Sequence, residues 1–136
     1  MKKLLLSTIA LIMVAGCQST PVQNEETTIA DVLKASVNAI NKIAPQMVDS
    51  ETRIDSSYAV ENKLVYKYTL INYSVDDFDT EKVQEIITKQ VTGFVCTSPG
   101  MEYFVDNAID ISYHYYDKDS KYITEANVKT ADCSKI

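Results

Sequence analysis

The run from Lys63 to Tyr73, KLVYKYTLINY, constrains the fold more than any other stretch of the chain. Leu64, Tyr66, Tyr68 and Leu70 fall on one side of an extended backbone, while Val65, Thr69 and Ile71 fall on the other. A period of two belongs to a strand, and Val, Ile, Tyr and Thr suit a half-buried pleated surface. Arg53 to Val60 alternates just before it, which places Ile54, Tyr58 and Val60 on one side and Arg53, Asp55 and Ser57 on the other. Glu61-Asn62 between the two runs predicts a turn, so the pair reads as a hairpin. Ile109 to Tyr116 alternates again, Asp117-Lys118-Asp119-Ser120 supplies turn chemistry, and Lys121 to Ala131 returns as a further strand.

Two amphipathic helices accompany these strands. Thr28 with Asp31 forms a helix-start pair, and Ile29, Val32, Leu33, Val37, Ile40 and Ile43 recur at helical spacing until Pro45 stops the helix near Ala44. Asp79 is the predicted N-cap of the second helix, with Phe78 placed to pack on Val83. Its apolar stripe is Val83, Ile86, Ile87, Val91, Phe94 and Val95, and it ends at Cys96, just before Ser98-Pro99-Gly100. Met101, Phe104 and Val105 predict a short extra turn of helix. The order α-β-β-α-β-β predicts one α+β domain over residues 28–136. Its four-stranded antiparallel sheet should carry both helices on one face.

Lys2 and Lys3 precede an apolar block from Leu4 to Ala15, followed by a small residue and Cys17, the order of a secretory signal. The block is too short to span a bilayer, which takes roughly 20 apolar residues. Val14-Ala15-Gly16-Cys17 resembles the lipobox of bacterial lipoproteins. That resemblance implies that Cys17 carries a thioether-linked diacylglycerol and becomes the first residue after cleavage. It also implies N-acylation there, and two or three acyl chains make a stable membrane anchor. Gln18 stands where an Asp tends to retain such proteins in the inner membrane, which implies the periplasmic face of the outer membrane. Residues 1–16 are then the signal peptide. Residues 17–27, polar after the cysteine and without an apolar period, are a lipidated N-terminus and flexible tether.

With Cys17 assigned to lipid, Cys96 and Cys133 remain, an even number in an oxidising compartment, and a disulfide between them is the expected outcome. Closing that loop stabilises the fold by about 3.5–4 kcal/mol in the chain-entropy treatment. Two widely spaced thiols and the single histidine, His114, make a poor metal site, so no metal is expected.

The formal charge is −6, and removing Lys2 and Lys3 with the signal moves it to −8. So acidic a chain does not suit nucleic acid, whose phosphates need Lys and Arg to displace counterions. Past the signal only Gly93 and Gly100 remain, too few and too far apart for a phosphate-cradling loop. No HExxH, GxSxG or P-loop pattern occurs. His114 falls on the strand face opposite Ile111, Tyr113 and Tyr115 and reads as a solvated strand residue. Asp49, Glu51 and Asp55 cluster around Arg53, which offers a self-contained ion pair at the entry to the first strand. Tyr66, Tyr68, Tyr113, Tyr115 and Tyr122 suit a half-buried sheet. Val65, Ile71 and Tyr116, if uncovered, would form an apolar and aromatic patch suited to a partner peptide. No catalytic residue, cofactor or small-molecule substrate is assigned.

The stretch FVCTSPGMEYFVDNAIDISYHYYDKDSKYITEANVKTADC, ending at Cys133, resembles the short type II secretion pilotins of vibrios and some enteric bacteria. Those lipoproteins carry a helix ending at a cysteine, a short segment, a hairpin, and a second cysteine that closes a disulfide after the last strand. Cys96 and Cys133 take those two places, and the likeness covers most of residues 28–133 in pattern. It implies a domain without chemistry that binds the C-terminal segment of a secretin subunit and carries it to the outer membrane. No matched position is a contact motif, so partner-binding residues stay unassigned. A periplasmic inhibitor or immunity lipoprotein that blocks a toxin or hydrolase is the second expectation. A hydrolase built on Asp49, Glu51 or Asp55 is the third.

Overall fold

The structure is a computed structural model that describes residues 27–135. The predicted signal peptide, Cys17 and the tether up to residue 26 lie outside the described residues. Helix α1 (Ile29–Ile43) starts where the sequence predicts. The Thr28 hydroxyl oxygen accepts the Asp31 N–H at 3.2 Å, and the Thr28 N–H donates to the Asp31 carboxylate at 3.1 Å. This reciprocal cap satisfies backbone N–H groups that a helix start leaves without partners. Ala44 before Pro45 is extended, and the helix stops.

The chain continues through β1 (Gln46–Met47), β2 (Thr52–Val60), β3 (Lys63–Leu70), α2 (Thr80–Thr97), α3 (Glu102–Asp106), β4 (Asp110–Asp117) and β5 (Tyr122–Val128), ending in a 3-10 turn over Thr130–Lys135. The strands form one sheet in the order β1-β2-β3-β4-β5. This corrects the expectation of four antiparallel strands: among the described residues there are five, and β3 pairs with β4 in parallel, Lys63 opposite Asp110 and Leu70 opposite Asp117. The reason is the length of the connection. The 18 residues of α2 span about 27 Å, close to the roughly 26 Å of the eight-residue β3, so the crossover can carry the chain back to the starting end of β3. A strand begun there runs parallel. The extra strand β1 is the short extended segment after Pro45, antiparallel to Ile54 and Arg53.

Both helices lie on one face, as expected. Leu33 of α1 and Val95 of α2 join Leu64, Ile111, Tyr113, Ala126 and Val128 in a single core. Three expected faces are wrong in detail, the first only at the end of α1, where Ile43 is exposed. The pairing of β2 with β3 slips between Ile54 and Ser56, leaving Asp55 as a bulge residue. A bulge sets two residues against one, so the alternation inverts beyond it. Ser57 is buried on the helix side, while Tyr58 and Val60 turn to the open side and are exposed. On α2, Ile86 and Phe94 are each 57% exposed rather than core. Ile87, Val91 and Val95 form the inward line at four-residue spacing, and a residue one place away is turned by about 100°.

Cys96 and Cys133 are disulfide-bonded, with Cα atoms 5.2 Å apart. The predicted last strand stops at Val128, and Cys133 sits on the 3-10 turn after it. The bridge therefore ties α2 to the chain just past β5.

Candidate protein-binding site

The carboxylates that could have done chemistry are spent on the backbone and on ion pairs. Asp49 accepts the N–H groups of Glu51 at 2.8 Å and Thr52 at 2.7 Å, and the bond from Glu51 holds its carboxyl below the usual range. Glu51 accepts the Tyr73 hydroxyl at 2.7 Å, which pushes that phenol up. Asp55 accepts from Arg53 and from the Thr69 hydroxyl. The cluster shapes the entry to β2, and Arg53 is its cation.

His114 stands on the open face of the sheet, half-buried rather than solvated. Its Nε2 lies 3.3 Å from a Glu125 oxygen, and the Tyr58 ring meets it edge-on at 6.4 Å. Together with Lys63 and Asp110 these side chains line a basin of about 370 Å³. The Ser112 hydroxyl donates to the Asn127 carbonyl oxygen at 2.8 Å, and Asn127 donates to Glu125 at 2.8 Å. Ser112 is thereby held to an amide instead of to the imidazole, whereas nucleophilic catalysis needs the hydroxyl against its base. Among the described residues no group of His, Cys, Asp and Glu could hold a metal ion.

The anticipated patch of Val65, Ile71 and Tyr116 does not form. Val65 is buried beneath its neighbours, Ile71 and Tyr116 are half-buried, and the Lys67 ammonium sits 4.6 Å over the Tyr116 ring. The other face carries a row of phenols in mutual contact, Tyr66 stacked on Tyr113 and Tyr68 edge-on to Tyr115. Tyr66 and Tyr113 are 5.1 Å apart by ring centroids, and Tyr68 and Tyr115 are 5.6 Å apart. They fill the space between α1, which packs on β2 and β3, and α2, which packs on β5. Burial pushes the Tyr115 phenol up to about 12 and raises those of Tyr66, Tyr68 and Tyr113 as well. At neutral pH the row is uncharged.

A second concavity runs between α1 and the outer edge of β2, with a volume of about 330 Å³. Ala30, Leu33 and Val37 form its helical wall, Tyr58 and Ala59 its strand wall, and Lys34 and Glu61 its charged rim. At one end the Asn41 side chain bridges the walls. Its oxygen accepts the Ser57 N–H at 2.7 Å and its nitrogen donates to the Ser57 carbonyl at 2.9 Å. Sequence patterning did not single out Asn41 or Ala59, because a polar residue late in a helix and an alanine late in a strand carry no local signal of an edge contact.

No family model matches the chain, and no curated protein matches it. Solved structures do share the fold. A Pseudomonas aeruginosa protein described as secreted is 11% identical, with 77% of this chain and 92% of that one aligned at a TM-score of 0.64. The Vibrio vulnificus type 2 secretion system pilotin EpsS is 10% identical over 77% of this chain and 91% of its own, with a TM-score of 0.62. The Vibrio cholerae type II secretion system pilotin AspS is also 10% identical, covering 77% and 92%, with a TM-score of 0.59. At such identities the likeness is one of fold.

Proposed function

We propose that this chain is a non-catalytic protein-binding module of the pilotin kind. In this reading lipid on Cys17 holds it at the periplasmic face of the outer membrane, where it binds the C-terminal segment of a secretin subunit. The observation that carries the reading is the shared fold with two pilotins, over more than 90% of each of their chains. The engaged carboxylates and the paired Ser112 and His114 add support, since they leave these groups without a reaction to perform.

Affinity capture of the tagged chain from detergent-solubilised membranes, followed by mass spectrometry, tests the partner. Recovery of secretin, and its loss from the outer membrane when the chain is deleted, is the expected result. Recovery of a toxin or hydrolase in its place would support the inhibitor reading and refute this one. Cys17→Ser tests the anchor by itself: the variant should leave the outer-membrane fraction.

A further inference from the structure

We propose that the groove between α1 and β2 takes an extended, uncharged segment of a partner protein as an added strand, paired to the backbone of Ala59. The inference rests on the protein-binding reading but not on the partner being a secretin.

The direction of the backbone groups comes first. Asn41 meets both the N–H and the carbonyl of Ser57 from outside the sheet, so those two groups point away from β3. Pairing with β3 is regular from Ser57 to Val60. Groups two residues apart on a strand point the same way, which aims the N–H and carbonyl of Ala59 outward into the groove. Ala59 is exposed, and among the described residues nothing meets those groups. An outward N–H and carbonyl on an edge strand are a template for another strand.

The same edge already accepts a strand. β1 pairs with it at Ile54 and Arg53, but only over two residues, because the chain on its far side has turned into α1. Past that point the Asn41 carboxamide stands in for one strand residue, presenting the same acceptor and donor as a peptide group. From Ala59 onward the edge has no stand-in.

The groove also selects the conformation and charge of its occupant. A helix uses its backbone groups internally and leaves those of Ala59 unpaired, whereas an extended chain pairs them and sends alternate side chains toward Leu33 and Val37. Adding a strand beside a helix-walled pocket is an established mode of peptide recognition. The rim holds one cation, Lys34, and one anion, Glu61, so its charges cancel and an uncharged segment matches it best.

Two probes test this on the full chain purified in detergent: a displayed library of random linear peptides, and a synthetic peptide of the secretin C-terminus. Ala59→Pro removes the donor without crowding the sheet, because proline is tolerated at an edge where the N–H points outward. Val37→Glu puts a charge on the groove wall and serves as the second variant if proline disturbs folding. Library peptides should emerge rich in uncharged, β-forming residues, lose at least tenfold in affinity on either variant, and protect the Ala59 amide from hydrogen exchange. Selection of no binder, binders indifferent to both variants, or bound peptides that are helical by circular dichroism would overturn the inference. If library peptides bind as described and the secretin peptide does not, the groove stands and the secretin assignment fails. If the secretin peptide binds both variants as well as the native chain, the assignment stands and the groove falls.

Discussion

The sheet has two edges, and they are closed by unlike means. Along β5, α2 packs against the strand, Gln84 donates to the Glu125 carbonyl at 3.1 Å, and the Cys96–Cys133 bridge fastens α2 to the chain beyond the strand. Along β2, closure is piecemeal: a two-residue strand, one asparagine, then a groove. An edge backed by a packed helix and a covalent bond opens only if the domain loosens. An edge closed by a single side chain can exchange that contact for a partner at little cost to the rest of the fold. Edge strands are ordinarily protected against unwanted pairing, so the one left partly open is where pairing can be used.

If this contrast is right, damage on one side should stay on that side. Replacing Cys96 and Cys133 by Ser should cost about 3.5–4 kcal/mol by loop entropy, measured by urea unfolding. Hydrogen exchange should then quicken in β5 while the β2 edge keeps its protection. Equal loss at both edges would show that the bridge holds the whole domain. Leu33→Ala removes the buried anchor of α1 and should cost about 2–4 kcal/mol, with the reverse exchange pattern. Asn41→Ala leaves two backbone groups of Ser57 without partners, at about 1–3 kcal/mol. Gln84→Ala frees only one carbonyl, at about 0.5–1.5 kcal/mol, so equal losses from the two would erase the distinction between the edges.

On the β5 side the dependence on pH acts through Asp117 and is smaller still. Burial tends to raise the Asp117 carboxyl, but the N–H groups of Val75, Lys121 and Asp119 bind its charged form and hold it below the usual range. A carboxyl lowered in the folded state contributes stability above its unfolded value of about 3.9, and that contribution is lost as pH falls through the folded value. Asp117→Asn should therefore flatten the fall in urea midpoint between neutral and acidic buffer. Asp117 ties the β4–β5 hairpin to the segment entering α2, so its share of the acid effect belongs to the β5 side, while that of Asp49 belongs to the entry to β2. Acid-induced exchange in β5 that Asp117→Asn leaves unchanged would contradict this.

Much of this frame is legible in the chain. The Thr28–Asp31 cap, the Asp79 helix start, the alternation of β3 and β4 and the pairing of Cys96 with Cys133 all appear where residue pattern places them. Each depends on neighbours within a few positions or on cysteine parity. The misreadings have a different origin. Two hairpins joined through a helix show the same alternation whether they meet parallel or antiparallel, and it is the reach of α2 that brings β4 beside the start of β3. The bulge at Asp55 inverts Ser57 and Tyr58 without any composition signal. Ile86 and Phe94 fit an apolar stripe on paper, but the sheet is wide enough to cover only the line through Ile87, Val91 and Val95.

The candidate groove lies wholly among what the pattern leaves open. Its strand wall has the inverted facing that follows the bulge, its end is a contact between Asn41 and Ser57 across 16 residues, and its floor exists because α1 lies beside β2. Periodicity, caps and cysteine parity are local properties, written into the order of residues because backbone geometry acts between near neighbours. Strand direction, edge closure and the groove depend on which elements pack side by side. That choice is made by burial over the whole domain, and no short stretch of the chain contains it.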